Sequence, residues 1–294
     1  MRFSAFASGD CVSVASRWQE AFTQSLASTP ARSLYTSVGW NYALRADNLL
    51  GEQCELWVVS AGFGLVRGDE HLPSYAATFA FQKNRVADQI CDFRSSTPAH
   101  AAWWKAINAQ RGRTETPLQT TFAGYDRVVV ALSAPYLVAV RSDLELLARA
   151  LGPQKLWLVA VGAHALPLSP ELKECLVPLT SEVERLVSNP RATLNLRALV
   201  WWLEEVVPVA GWHREAQGQE IRRRLCEAKP KAVRVARALS DGEVTQWIGK
   251  QRRRAGAESP GKTQLLRTLR ATGMACEQNR FSRLYDQVVT PKSV

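Results

Sequence analysis

The segment from Ser60 to Phe79 contains the residue types best suited to bind a ligand. A predicted strand ends at Ser60 and runs directly into Ala61-Gly62-Phe63-Gly64. Two glycines after a strand let the backbone approach a ligand closely, and a helix that began there would offer N–H donors to an anion or a base edge. The same residues also suit a plain tight turn, so both interpretations remain open.

Carboxyl and hydroxyl groups lie within this segment and just upstream of it. Asp69 and Tyr75 follow the glycines, and Tyr35 and Thr36 lie on a loop that leads into a predicted helix. A carboxylate can accept a proton from water, and a phenol can donate one. Each group also has an ordinary structural role, because Asp69 suits a turn before Pro73 and both tyrosines suit half-buried positions with a satisfied hydroxyl.

The cysteines and histidines do not form a metal-binding pattern. Six cysteines are scattered without a CxxC pair, and the four histidines are widely separated. We therefore expect neither a structural zinc site nor a disulfide framework, and we predict no metal and no cofactor. Cys54 and Cys91 could act as isolated nucleophiles, although a single cysteine more commonly packs as a small hydrophobic residue.

Positive charge is concentrated in the last third of the chain. The 294 residues carry a formal charge of +10. Residues 1–212 contain 19 basic and 19 acidic side chains, whereas residues 213–294 contain 18 basic and 8 acidic ones. A local excess of this kind favours a polyanionic partner, and we predict that this region binds DNA. A solvated charged face is the alternative.

Hydrophobic patterning predicts an α/β body followed by a helical region. Three short β-branched or aromatic runs are predicted strands inside a sheet covered on both faces: Glu55–Ser60, Arg127–Ser133 and Lys155–Val161. Helical spacing occurs at Val14–Leu26, Gly39–Leu49, Ala99–Arg111 and Ser142–Leu151, the last with Gly152 as its stop. Helices dominate from about Ser181. We therefore predict an α/β domain at 1–212 and a basic helical region at 213–294.

The last segment has the pattern of a helix-turn-helix. Leucines share one side of Thr263–Arg270, Gly273 makes a turn, and Ala275–Val288 forms a second helix that can enter the major groove. Outward side chains of this unit and of the preceding helix would contact base edges or phosphates. These residues are Arg252, Arg253, Arg254, Lys262, Arg267, Arg270, Gln278, Asn279, Arg280 and Arg283.

Composition favours a cytoplasmic protein that does not associate with membranes. With 46% hydrophobic and 22% charged residues, the chain has the usual globular balance. The N-terminus lacks the apolar core of a secretory signal, and the longest apolar runs fall short of the ~20 residues of a membrane helix.

Three ordered motifs resemble the YaaA superfamily. Leu34-Tyr35-Thr36 corresponds to its LYTG loop, Ser60–Tyr75 to its SGxYGLLRPxDxIxPY block, and Ala131–Tyr136 to its NLASxEY strand. Ser37 and Ala131 replace the glycine and the asparagine of those motifs. The resemblance implies a YaaA-like mixed sheet flanked by helices, to which the basic helical region is added.

A narrower resemblance joins Ser60–Phe79 with the tail Gly261–Phe281. This pair is similar to the DpdC family, the YaaA-like members of the bacterial Dpd system that places 7-deazaguanines in DNA. The resemblance implies an enzyme that hydrates the nitrile of 7-cyano-7-deazaguanine in DNA to the 7-carboxamide. Its partners would be double-stranded DNA carrying the modified guanine and other proteins of the modification system.

Hydration of a nitrile needs an activated water and a donor that polarises the nitrile nitrogen. We assign Asp69 as the group that activates water and Tyr75 as the donor. Tyr35, Thr36, Ser60, Gly62 and Gly64 are assigned to substrate binding. Two other functions remain open, namely a non-catalytic YaaA-like protein that binds DNA under oxidative stress and a DNA-recruiting subunit of a restriction–modification complex.

Overall fold

The computed structural model describes residues 1–22, 28–81, 83–187, 193–228, 237–255 and 260–289. The chain divides into two units, Met1–Lys229 and Pro230–Val294. It is 59% helical, and its strands form small sheets of two strands each. The prediction of a mixed α/β protein is therefore confirmed.

Two of the longer helices of the first unit begin at a side-chain cap. Asp10 accepts a hydrogen bond from the Ser13 amide at 3.0 Å, and Ser37 accepts one from the Trp40 amide at 3.2 Å. The predicted end of the first helix, at Leu26, lies outside the described residues. The helices are α1 Cys11–Glu20, α2 Ala31–Leu34, α3 Val38–Leu50, α4 Ser96–Ala109, α5 Pro117–Phe122, α6 Ala134–Lys155, α7 Pro170–Glu174, α8 Leu194–Trp201, α9 Val207–Ala210 and α10 Arg214–Glu227.

The three predicted strands are confirmed in place, but among the described residues each lies in a two-stranded sheet rather than inside a larger one, and the structure adds other strands. In the first unit the strands are β1 Thr29–Pro30, β2 Trp57–Ser60, β3 Gly64–Arg67, β4 His71–Leu72, β5 Val128–Ala131 and β6 Leu156–Val159. Among the described residues they pair two by two: β1 with β4 and β2 with β3 antiparallel, β5 with β6 parallel. The helix considered after the glycines is wrong, because Gly64 lies opposite Ser60 in an antiparallel hairpin.

The parallel pair β5–β6 separates two hydrophobic cores. Leu156 and Leu158 face the core that includes α1, α4 and α6, whereas Trp157 and Val159 face the core formed with α8 and α10. All four residues of β6 are buried, so this strand is covered on both faces as predicted. Helix α6 connects the two strands, and Gly152 interrupts it at φ +67°, where a stop is predicted.

Helix α10 belongs to the first unit, whereas the predicted boundary lies before it, at residue 212. Arg214, its first residue, donates hydrogen bonds to the carbonyl oxygens of Pro153, Leu156 and Leu176, and its guanidinium lies 4.0 Å from the centroid of the Trp157 ring. These contacts bind α10 to the end of α6 and to β6. The unit therefore extends to Lys229.

The second unit packs three helices around a small core of its own. It contains β7 Arg237–Ala238, α11 Asp241–Ala255, α12 Lys262–Ala271, β8 Met274–Ala275 and α13 Gln278–Val289. Ile248, Leu269 and Phe281, one from each helix, are fully buried in that core. The predicted start of the last helix at Ala275 is wrong, because Ala275 pairs with Ala238 in a short parallel ladder. The helix begins after Glu277, whose carboxylate accepts hydrogen bonds from the amides of Asn279 and Arg280.

Candidate functional site

Three hydroxyl groups from separate parts of the first unit meet beside the β2–β3 hairpin. The Tyr75 hydroxyl lies 2.6 Å from the Tyr35 hydroxyl and 2.6 Å from Ser60 Oγ. Ser60 is only 3% exposed, whereas both tyrosines are half-buried. The structure therefore brings together three of the predicted site residues in one hydrogen-bonded chain.

Burial dominates the electrostatics of the two tyrosines. It raises the pKa of Tyr75 well above its usual range, and the nearby Tyr35 raises it further. Burial also raises the pKa of Tyr35, but the hydrogen bond with Tyr75 and the charge of Arg111 oppose this effect. Both phenols are therefore protonated at neutral pH, and both can act as hydrogen-bond donors.

Tyr136, from the third YaaA-like motif, stands near the same chain. Its hydroxyl lies 3.5 Å from Thr78 Oγ1, and its proximity contributes to the raised pKa of both Tyr35 and Tyr75. The three motifs identified in the sequence therefore each supply a hydroxyl to one region of the first unit. Thr36, also assigned to substrate binding, is exposed on the loop after Tyr35.

The two glycines of the hairpin turn give room to the protein's own side chains. A Cβ atom on Gly62 would lie 2.4 Å from the Tyr75 ring, and one on Gly64 would lie 2.3 Å from the Asn108 side chain. Gly64 also has φ +66°, which a side chain disfavours. Tyr75 and Asn108 are therefore the side chains that approach the backbone closely at these two glycines.

Side chains from distant elements hold the carbonyl groups of this turn. Trp103 Nε1 donates to the Ala61 oxygen at 2.7 Å, Trp18 Nε1 to the Gly62 oxygen at 2.7 Å, and Arg111 Nη1 to the Phe63 oxygen at 2.5 Å. On the other side of the turn, Ser60 Oγ accepts hydrogen bonds from two amides of the turn. The turn is thus rigid and its backbone groups are satisfied internally.

These supporting residues carry no local sequence signal. Trp18, Trp103 and Asn108 lie on helices and are fully buried, so their spacing identifies them only as core positions. Asn108 accepts a hydrogen bond from the Leu65 amide at 2.9 Å and donates one to the Trp104 oxygen at 2.7 Å. Only contacts between distant segments reveal that they hold the hairpin.

Asp69 occupies a different position from the hydroxyl chain. Its side chain is 63% exposed and forms two hydrogen bonds with the Arg67 guanidinium, which lower the pKa of the carboxyl. Among the described residues, no hydrogen bond joins it to Tyr75. It lines an open cleft of about 380 Å³ whose other lining residues are Trp57, Arg67, Glu70, His71 and Arg113. A carboxylate with a lowered pKa is a weaker base toward water.

The candidate cysteine nucleophiles do not join the hydroxyl chain. Burial raises the pKa of the Cys54 thiol to about 11, with a further contribution from Asp47. Cys54 is therefore a thiol rather than a thiolate at neutral pH, which makes it a poor nucleophile. Cys91 is exposed on the surface.

The basic residues of the second unit differ in how they are neutralised. Within the described ranges Arg253, Arg254 and Arg267 are exposed and form no ion pair. Other predicted DNA contacts have acidic or backbone partners: Arg280 and Arg283 pair with Asp241, Lys262 pairs with Asp286, and Arg270 donates to the Cys276 oxygen. Gln278 and Asn279 are exposed at the start of α13, and Arg252 is half-buried.

The described residues contain neither a cluster of metal ligands nor a helix that could span a membrane. Within the described residues, no group of three or more His, Cys, Asp or Glu side chains is placed to hold a metal ion. No described helix is long and apolar enough to cross a membrane.

No protein-family model, curated protein or solved structure matches the chain.

Proposed function

We propose that the protein is a YaaA-like DNA-modifying enzyme of the DpdC type. It hydrates the nitrile of 7-cyano-7-deazaguanine within DNA and forms the 7-carboxamide. The observation that supports this function most directly is the convergence of the three YaaA-like motifs. Tyr35, Ser60 and Tyr75 form one hydrogen-bonded chain, and Tyr136 lies close to it.

The hydroxyl chain suits the addition of water to a nitrile. As water attacks the carbon, negative charge develops on the nitrile nitrogen, and a positioned O–H donor stabilises that charge. Neutral phenols of raised pKa keep this proton available at neutral pH. We assign proton donation to the tyrosines. Water activation is not assigned to Asp69, because its exposed ion pair with Arg67 weakens it as a base.

The second unit is proposed to hold the duplex. Residues 230–294 contain 13 basic and 5 acidic side chains, so this unit carries a net charge of +8. Arg253, Arg254 and Arg267 are exposed without an acidic partner in the described part of the chain, as phosphate contacts require. Helices α12 and α13, which are separated by residues 272–277 including β8, are proposed to act as a helix-turn-helix, with Gln278 and Asn279 near base edges.

The reaction is tested by mass spectrometry of nucleosides. DNA that contains 7-cyano-7-deazaguanine is incubated with the intact chain, digested and analysed. We expect a nucleoside that is heavier than the substrate by the mass of one water and that elutes together with the 7-carboxamide standard in chromatography. Duplex without the cyano group serves as the control substrate.

Binding is measured on the same DNA so that the outcomes remain distinct. Tight binding without any mass change would reject the enzyme and favour a non-catalytic DNA-binding protein. Formation of the carboxamide from the free nucleoside alone, with DNA left unchanged, would reject DNA as the substrate.

A further inference from the structure

The hydrogen bonds around Ser60 determine the direction of the hydroxyl chain. A serine hydroxyl has one proton to donate and two lone pairs that accept. Ser60 Oγ accepts the Gly62 amide at 3.1 Å and the Phe63 amide at 2.9 Å, which occupies both lone pairs. Its own proton must therefore be donated to the Tyr75 hydroxyl, 2.6 Å away.

The same reasoning extends to the two tyrosines. Because the Tyr75 oxygen accepts from Ser60, its proton is free to be donated to the Tyr35 oxygen at 2.6 Å. The Tyr35 oxygen then accepts from Tyr75, and its own proton has no acceptor among the described residues. The two amides at Ser60 therefore favour one direction of donation, from Ser60 through Tyr75 to Tyr35.

The surroundings of the chain keep this direction from reversing. The turn that contains the two amides is held by Trp18, Trp103 and Arg111, so the amides cannot rotate away from Ser60. The Tyr75 ring is pressed against Gly62 and contacts the Phe63 ring edge-on at 4.9 Å. The Tyr35 ring is supported by Trp40, with ring centroids 4.9 Å apart.

We propose that Tyr35 is the residue that donates a proton to the substrate, and that Tyr75 and Ser60 are positioning residues behind it. This inference rests on the proposed function, and it assigns Tyr75 a role different from direct donation. Because the end of the hydroxyl chain is a donor, it suits a ligand atom that accepts a hydrogen bond. The nitrile nitrogen is such an acceptor. The hydrogen bond that Tyr75 donates to Tyr35 and the charge of Arg111 both favour loss of the Tyr35 proton.

The hydration step balances without another reactant. Water forms a C–O bond to the nitrile carbon while one π bond of the C≡N group opens onto nitrogen, which takes the proton of Tyr35. The proton released by the attacking water returns to the Tyr35 oxygen. The imidic acid then becomes the carboxamide when its O–H proton moves to nitrogen. The carboxamide nitrogen thus carries one proton from Tyr35 and one from the water, and the other water proton has restored Tyr35.

The kinetic test compares Tyr35→Phe with a matched tyrosine variant. Tyr42→Phe is the control, because Tyr42 lies on the neighbouring helix α3 and its hydroxyl has no hydrogen bond among the described residues. On cyano-modified DNA we expect Tyr35→Phe to lower kcat by about 100-fold or more with KM changed much less, because only transition-state stabilisation is lost. Tyr42→Phe should retain the kcat of the unaltered protein. Equal kcat values for Tyr35→Phe and Tyr42→Phe would overturn the proposal.

Infrared spectroscopy tests the donor independently of turnover. A hydrogen bond to a nitrile nitrogen raises the C≡N stretching frequency, so the cyano-modified oligonucleotide reports its own donor when bound. We expect a higher frequency in the complexes with the unaltered protein and with Tyr42→Phe than in the complex with Tyr35→Phe. The same frequency in all three complexes would reject Tyr35 as the donor. If the unaltered protein shows the shift but forms no carboxamide, the proposed reaction fails while the assignment of Tyr35 as donor stands.

Discussion

At the scale of single residues, Gly62 links the architecture of the hairpin to the chemistry proposed beside it. The Tyr75 ring occupies the space that a side chain at position 62 would need. The glycine thus determines where the Tyr75 hydroxyl lies relative to Ser60 and Tyr35. The sequence suggests that Gly62 lets a ligand approach the backbone. In the structure it instead makes room for the Tyr75 ring and so positions the Tyr75 hydroxyl.

We predict that Gly62→Ala destabilises the first unit by about 1–3 kcal/mol, as expected when a well-packed region is overfilled. The added Cβ would lie 2.4 Å from Tyr75, so the ring must shift and its hydrogen bonds must lengthen. Urea unfolding of Gly124→Ala provides the control, because no heavy atom lies within 4 Å of a Cβ at that position. A Gly62→Ala protein as stable as Gly124→Ala would show that the turn adapts freely.

At the scale of secondary-structure elements, Arg214 is the side chain that attaches the start of α10 to α6 and β6. Arg214 reaches three carbonyl groups at the end of α6, in β6 and after α7, and it stacks on Trp157. The other arginines of this helix behave differently: Arg223 and Arg224 are held by Glu220, whose pKa they lower to about 2. Part of the basic charge predicted for the helical region is therefore neutralised within the first unit.

Arg214→Ala is expected to destabilise the first unit by about 2–4 kcal/mol, because it leaves several carbonyl groups without their donor. Arg222→Ala, on the same helix, removes an exposed arginine and should change the unfolding free energy by less than about 0.5 kcal/mol. Thermal or urea unfolding measures both variants. Similar losses in the two proteins would contradict the contacts assigned to Arg214.

The elements that could be predicted from the sequence are those with a strong local signal. The apolar runs at β2, β5 and β6 and the helical spacing at α1, α3 and α4 are local features, and the structure contains the corresponding strands and helices. Strand β3 has no comparable local signal, because Gly64 at its start is equally suited to a turn. The start of α13 depends on Glu277 and on the pairing of Ala275 with Ala238, which no local pattern indicates.

The site shows the same division. Tyr35, Ser60 and Tyr75 could be selected from their motifs, and they lie together in the structure. Their order in a one-way chain could not be predicted, because it depends on two backbone amides of the turn. Asp69 fits the motif equally well, but its pairing with Arg67 is visible only in three dimensions.

At the scale of the whole molecule, the charge partition is less complete for the observed units than for the predicted boundary at residue 212. The first unit, Met1–Lys229, has 24 basic and 22 acidic side chains, whereas the second unit has an excess of eight positive charges. Most of the net charge still belongs to the smaller unit. Long-range attraction of a polyanion should act chiefly on that unit.

We predict that the double variant Arg253→Gln, Arg267→Gln weakens duplex binding and lowers the slope of log K against log salt by about 2, since each phosphate contact contributes about 0.9. Arg149→Gln, which removes an exposed arginine of the first unit, is the control and should leave the slope unchanged. Fluorescence anisotropy over a range of salt concentrations measures all three proteins. An unchanged slope in the double variant would show that the duplex does not contact Arg253 and Arg267.

The bonds that hold the hairpin turn also bear on the order of folding. A hairpin closes on its own within about 1–10 μs, because its strands are adjacent in sequence. The donors to its turn come from Trp18, 44 residues before Gly62, and Trp103, 42 residues after Ala61. Such distant contacts form late. A nascent or partly folded chain can therefore contain the β2–β3 hairpin before Ser60, Tyr75 and Tyr35 are aligned, and the three hydroxyl groups reach their observed arrangement only when α1 and α4 have docked.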